Sequence, residues 1–241
     1  MSLRQSESVF EGQNVMYAKF FKRFLDFVLS LLALLILWPV LLILAIVGAI
    51  VMGGNPFFAQ QRPGKNEKIF RLIKFRTMSN AKDKEGNLLP DADRLNGYGK
   101  FLRKTSLDEL PELLNILVGN MSIVGPRPLL VRDMVFMTDE QRKRHSIRPG
   151  LTGLAQVNGR NNITWEKKIE YDLQYICRGI TLLGDVRIII QTVGKVFRRS
   201  DTVREGTVSD IDFGDWLLQT QKIDEFEYET KMLMAKNILE Y

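Results

Sequence analysis

Apolar and polar positions divide this chain into unlike regimes. Residues 27–52, "FVLSLLALLILWPVLLILAIVGAIVM", form a run of 26 residues without a charge. That is longer than the roughly 20 a helix needs to span a bilayer and than the roughly 7 to 15 of a signal-peptide core, so the run belongs to a membrane. Pro39 stands at its middle, where it removes an amide donor and frees the carbonyl of Leu35, which predicts a bend or break. Lys19, Lys22 and Arg23 precede the run and Arg62, Lys65 and Lys68 follow it. Basic flanks are drawn to the cytoplasmic face. A helix broken at Trp38-Pro39 that enters and leaves by one face satisfies both facts, whereas a spanning anchor satisfies hydropathy alone.

Beyond the run the periods shorten. "NPFFAQQRPGKNEKIFRLIKFRTM" predicts a turn at Arg62-Pro63-Gly64 and one or two short strands over 69–78. Residues 79–99 are polar and read as a loop; the Asp91-Ala92-Asp93 spacing within it, a metal pattern in many nucleotide-sugar transferases, is too short to outweigh chance. Over 107–118 the leucines 107, 110, 114 and 117 make one stripe that stops at Gly119, the pattern of a helix. A second helix is expected from about Thr164. A third, over 184–199, sets Val186, Ile189, Ile190, Val193 and Phe197 against Arg187, Gln191, Lys195 and Arg198. This pattern suits a helix in a membrane interface and equally a surface helix over a core. "IDEFEYETKMLMAKNIL" near the end also reads as helix. Together these predict an α-rich α+β chain in three segments: 1–54 with the membrane helix, a catalytic domain over 55–205, and an acidic tail over 206–241.

Charge sharpens the picture. The net charge is +6. Residues 205–241 hold nine Asp/Glu against three Lys, so the rest of the chain carries +12. Such a surplus attracts phosphate on a nucleic acid, an anionic membrane or a small substrate. No nucleic-acid motif or aromatic-basic stripe accompanies it, which argues against nucleic acid as partner. One cysteine (Cys177) and one histidine (His145) exclude an intrachain disulfide and a Cys/His metal cluster. The tail's negative charge would repel a phosphate-rich substrate, so the tail is expected to be dispensable for chemistry and free to cover a basic surface or mediate self-association, including a homodimer.

The densest chemistry is "RKTSLDELPELLNILVGNMSIVGPRPLL". Ser106 followed three residues later by Glu109 is a capping-box pattern, and acidic residues suit a helix start in any case. Arg127 stands between Pro126 and Pro128, presented from a stiff loop. "QRKRHSIRPGLTG" adds Arg142, Lys143, Arg144 and Arg148. Arginine forks match phosphate oxygens, and with neither a Walker loop nor a Gly-x-Gly-x-x-Gly turn present, phosphates must be held by such side chains and a divalent ion. An ionised Asp or Glu beside them can attack phosphorus through an acyl phosphate.

These residues resemble the bacterial sugar transferases known as monotopic phosphoglycosyl transferases, over about residues 16–208. The resemblance rests on "MYAKFFKRFLDF", "QQRPGKNEKIFRLIKFRTMS", "SLDEL", "MSIVGPRPLLV", "RHSIRPGLTGLAQVNGRN" and "KKIEYDLQYI", in that order. It is strongest to the small single-domain members, among them those using UDP-diacetylbacillosamine to open N-linked glycan assembly. It implies a monotopic membrane protein with a broken re-entrant helix and a small cytoplasmic catalytic domain at the bacterial inner membrane. The implied reaction moves a phospho-sugar from a UDP-sugar to polyprenol phosphate, releasing UMP, through a covalent intermediate on Asp108. Glu109 is implied as its partner, the two carboxylates holding Mg²⁺. Phosphate-contacting or supporting roles map onto Lys74, Arg76, Arg127, Arg148 and Asp172. The family usually breaks its helix at Ser-Pro, where this chain has Trp38-Pro39. The rival reading is a membrane-anchored adaptor that binds anionic lipid without chemistry.

Overall fold

The computed structural model describes residues 16–159, 163–198 and 211–240, with side chains to residue 195 in the second stretch. The expected 205/206 boundary, the end of the resemblance at Val208 and the side chain of Phe197 lie outside the described residues.

Helix α1, Lys22–Met52, follows one wide turn over Tyr17–Phe21 and stays helical through Trp38 and Pro39. Its burial is periodic. Lys22, Asp26, Ser30, Leu44 and Gly48 are buried, and Ala33, Leu34, Leu37, Leu41 and Ala45 pack on core clusters. These positions recur every three or four residues and make one inward stripe along the whole helix. The rest is bare: Leu35, Ile36 and Trp38 are 62%, 73% and 59% exposed. By length and composition, a helix so apolar and so exposed is compatible with a membrane anchor.

Both ends of α1 are tied to one globular body. At the start, Arg23 donates to the carbonyls of Ile116 and Leu117 at 2.7 and 2.8 Å, and Asp26 Oδ1 accepts from the Ile123 amide at 2.9 Å. Near the end, Tyr98 Oη donates to the Leu44 carbonyl at 2.7 Å, lying against Gly48 where a Cβ would meet that oxygen at 2.9 Å.

That body begins with an antiparallel hairpin, β1 (Phe57–Pro63) and β2 (Ile69–Phe75), whose register sets Arg62 opposite Phe70 and Phe58 opposite Lys74. The turn therefore falls at 64–68, two residues later than the sequence suggests. Helices α2 (Asp91–Arg94) and α3 (Gly97–Thr105) occupy part of the expected 79–99 loop, α3 being capped by Asn96, which accepts from the Gly99 amide at 2.9 Å. α4 (Glu112–Val118), strand β3 (Ser122–Val124), α5 (Val131–Met134), α6 (Asp139–Arg142), strand β4 (Gly150–Thr152) and α7 (Leu154–Val157) follow. β3 and β4 pair in parallel and so closely that a Cβ on Gly150 would stand 2.1 Å from the Gly125 nitrogen. Only glycine fits there.

α8 (Trp165–Cys177) starts after Thr164 as expected, its hydroxyl accepting from Lys167 N at 3.4 Å. In α9 (Leu182–Arg198), Asp185 and Ile188 face inward while Leu183, Val186, Ile190 and Val193 form an exposed apolar stripe. Of the predicted stripe, Val186, Ile190 and Val193 thus face outward, while Ile189 packs on the core. α10 (Phe213–Gln219) and α11 (Glu225–Glu240) close the chain, and they are part of the body rather than a loose tail. Phe213 is buried with Phe136, Met137, Trp165 and Ile169, and Ala235 with Val131 and Met134.

Candidate active site

The dyad does not cap a long helix. Ser106 takes a left-handed conformation at φ 56° with no side-chain cap, Leu107–Glu109 form a single tight turn, and α4 starts only after Pro111. Proline lacks the amide that a helix running on from 107 would need at that point. The predicted leucine stripe shifts as a result: Leu113 and Ile116 are buried and Leu114 faces outward. Released from capping, the Glu109 carboxylate turns to the hairpin.

There Glu109 Oε1 accepts from Lys74 Nζ at 3.0 Å and from Arg127 Nη2 at 2.7 Å. Lys74 also lies 3.0 Å from Glu112, a buried carboxylate one turn further on. Lys74 is presented by β2, Arg127 by the proline-bounded loop, and the carboxylates by the turn and α4 between them. Asp108 differs from its neighbour. None of the described hydrogen bonds or ion pairs uses its carboxylate. Burial, and then the adjacent Glu109 charge, push its pKa up to about 6, while Lys74, Arg127 and Arg103 pull the other way. Glu109 moves oppositely, held well below the carboxylate range because Arg127 and Lys74 outweigh its burial. Glu112 is raised to about 7, chiefly by burial. Adjacent carboxylates are thus driven apart, one ionised and masked by cations, one unmasked.

The loop that carries Arg127 is gripped along its backbone. Gly150 N donates to the Pro126 carbonyl at 2.8 Å, Arg144 Nη2 to the Arg127 carbonyl at 2.7 Å, and Arg62 Nη1 to the Pro128 carbonyl at 3.3 Å. Asp172 enters at one remove: Arg144 donates to its Oδ2 from Nε at 3.0 Å and Nη2 at 2.7 Å. Asp172 therefore supports Arg127 from behind rather than facing the dyad. Arg148 lies at the other end of α4, its Nε donating to the Gly119 carbonyl at 2.7 Å beside Arg23. There it satisfies orphan helix carbonyls. The Arg76 amide donates to the Pro56 carbonyl at 2.7 Å, and no described hydrogen bond or ion pair joins its side chain to the dyad. Arg103, whose charge acts on Asp108, and the buried Glu112 belong to the site although sequence reasoning passed over their roles. Arg103 sits five residues before Asp108 and Glu112 four after it, a proximity that is visible in the sequence but carries no role without the fold.

Among the described residues no cluster of three or more His, Cys, Asp or Glu could hold a metal unaided. The donor set fits Mg²⁺ nonetheless, because that ion takes one or two carboxylates and completes its shell with water and substrate phosphate. Asp108, unpaired beside Glu109, is such a donor.

The bacterial sugar transferase model matches residues 17–199, which takes in α1, the hairpin, the dyad, the Arg127 loop and α8. The chain belongs to the bacterial sugar transferase family. An uncharacterized sugar transferase of Bacillus subtilis, EpsL, is 46% identical over 175 residues, covering 73% of this chain and 86% of that protein. The UDP-glucose:undecaprenyl-phosphate glucose-1-phosphate transferase of Klebsiella pneumoniae is 41% identical over 187 residues, 73% of this chain but 40% of that protein. The undecaprenyl-phosphate galactose phosphotransferase of Salmonella typhimurium is 34% identical over 200 residues, 76% of this chain and 41% of that protein. This family member thus matches under half the length of the Klebsiella and Salmonella relatives. α10 and α11 lie outside the family match.

Proposed function

We propose that this sugar transferase moves a sugar phosphate from a UDP-sugar to polyprenol phosphate through a covalent intermediate on Asp108, at the cytoplasmic face of a bacterial inner membrane. The observation that carries the reading is the split between Asp108 and Glu109. A nucleophile must keep its carboxylate unpaired: no described hydrogen bond or ion pair uses that of Asp108, whereas Lys74 and Arg127 both bond Oε1 of Glu109 and neutralise it.

In the first step an Asp108 oxygen attacks the sugar-bearing phosphorus, the bridging P–O bond breaks, and UMP leaves with that bond's electrons. In the second, a phosphate oxygen of the polyprenol phosphate attacks the same phosphorus and the aspartyl oxygen leaves as carboxylate. The products are polyprenyl diphosphate sugar and free Asp108. Arg127, 44% exposed at its side chain, can reach a bound phosphate, and Lys74 and Arg103 add charge on the same side. Asp108 and Glu109 are the residues that would hold Mg²⁺, which when bound offsets the diphosphate charge.

Membrane placement follows from α1 and α9. Both ends of α1 are bonded to one body, which supports a monotopic helix that re-enters on the face it leaves, bent at Trp38-Pro39. The exposed apolar stripe of α9 suits the same interface.

The test uses UDP-sugars labelled in the sugar, without acceptor. The relatives' names include glucose and galactose, so both are screened with the N-acetylated forms. Label should stay on a peptide containing Asp108 with about one equivalent of UMP released, and polyprenol phosphate should discharge it. UMP release only when the acceptor is present, with no labelled protein at any time, would replace the covalent route by direct transfer.

A further inference from the structure

Residues 211–240 stand outside the family match, yet they pack on α5, the helix that directly follows the Arg127 loop. Asp133, 2% exposed, accepts from two backbone amides. Its Oδ2 takes the Leu130 amide at 2.9 Å, three residues after Arg127, and its Oδ1 takes the Phe213 amide at 2.9 Å, at the first residue of α10. A buried carboxylate needs such donors to remain charged, and burial already raises its pKa. Around this latch, Arg132 pairs with Asp212 and Asp215, and Val131 and Met134 are covered by Ala235 and Ile238 of α11. α5 therefore has the Arg127 loop on one side and the C-terminal helices on the other.

We infer that α10 and α11 are a positioning brace for Arg127, acting through Asp133, and so take part in turnover without touching substrate. The remaining holds on the loop, from Gly150, Arg144 and Arg62, fix residues 126–128. Leu130 is fixed through Asp133. Without the Phe213 amide and the apolar cover, α5 is free to shift, and the loop end that sets the Arg127 fork shifts with it. This runs against the expectation that the acidic tail is dispensable for chemistry, and the experiment below decides between them.

The inference rests on the proposed transfer reaction, and a double-mutant cycle in the full-length chain separates the two. UMP release by wild type is the check on the reaction itself. Its absence with every UDP-sugar overturns that reading and leaves the latch geometry to be judged by stability alone. With wild type active, Asp133→Asn should lower kcat/KM by about tenfold to a hundredfold, the scale of an ångström-sized misplacement. In an Arg127→Ala background the same change should cost less than about threefold, because the group it positions is gone. Should Asp133→Asn fail to fold, Arg132→Gln, which loosens the first turn of α10 without emptying a core, decides by the same cycle. Leu233→Ser on the exposed face of α11 should match wild type. Equal losses in both backgrounds, or no loss from either latch variant, would make the C-terminal helices a structural appendage and sink the inference.

Discussion

Arg144 and Asp172 bury a full ion pair, with side chains 1% and 4% exposed, directly behind the backbone of Arg127. Breaking such a pair strands a charge in the interior, which costs about 3–5 kcal/mol. Asp172→Ala should therefore lose stability on that scale in chemical denaturation, and Arg144→Met less, since the Asp172 carboxyl it strands is already pushed up by burial and can take a proton, whereas a stranded guanidinium cannot lose one. If Asp172 touched substrate instead, Asp172→Ala would depress kcat with little change in stability. That outcome would move it back into the reacting shell.

Asp108→Asn separates function from stability with a sign that a helix cap cannot imitate. The folded-state pKa of about 6 lies above the ordinary value of 3.8. Between those values the folded protein binds more proton than the unfolded chain, so stability falls as pH rises through the window and is flat above it. Asparagine carries no charge to desolvate. The variant should melt at or above wild type at pH 8, match it near pH 4, and release no UMP. A variant that melts lower at pH 8 while turning over would restore the capping reading.

The same carboxyl sets the acid limb of the rate. For free enzyme and substrate, kcat/KM should rise with pH through about 6 as Asp108 ionises. Lys74 and Arg127 are among the charges that hold this value down, so Lys74→Met should move the limb to higher pH. A limb that stays in place in the lysine variant would assign it to a group that Lys74 does not reach, which excludes Glu112 as well as Asp108, since Lys74 holds both down.

Several features were legible because each is decided within a few residues. The 26-residue apolar run, the Thr164 start of α8 and the stiffness of Pro126-Arg127-Pro128 need only local rules. The capping box failed for a local reason that was also visible, since Pro111 lies where the longer helix would need an amide. The remaining relationships are long-range. That β2 brings Lys74 to Glu109, 35 residues away, or that Arg148 serves the far end of α4, depends on how the hairpin and β4 dock. Strands β3 and β4, three residues each, are too short to show a period of two, and their signal is the glycine pair, Gly125 and Gly150, that lets the chain segments approach closely. The C-terminal helices looked like a tail because their net charge hid the inward row of Phe213, Tyr228, Met232 and Ala235.

Membrane topology can be tested at the two ends of α1. A straight 31-residue helix is about 46 Å long, enough to cross a bilayer and put its ends on opposite sides. The hydrogen bonds of Arg23 and Tyr98 instead hold both ends to the same body. Because Cys177 is exposed, it is replaced by serine first. Single cysteines at Lys19 and Asn55 in inside-out vesicles should then react with an impermeant reagent to equal extents, and neither should react in right-side-out vesicles. Pro39→Leu restores the missing amide and favours an unbroken helix, so some molecules should span and the Asn55 cysteine should become reactive from the outside in that fraction. Those molecules must give up the Tyr98 bond to Leu44 and the contact at Gly48, so UMP release should fall with the spanning fraction. Opposite-side labelling in the unaltered helix would mean that α1 spans the membrane, and the α1 contacts with α3 and Tyr98 could not persist in the bilayer.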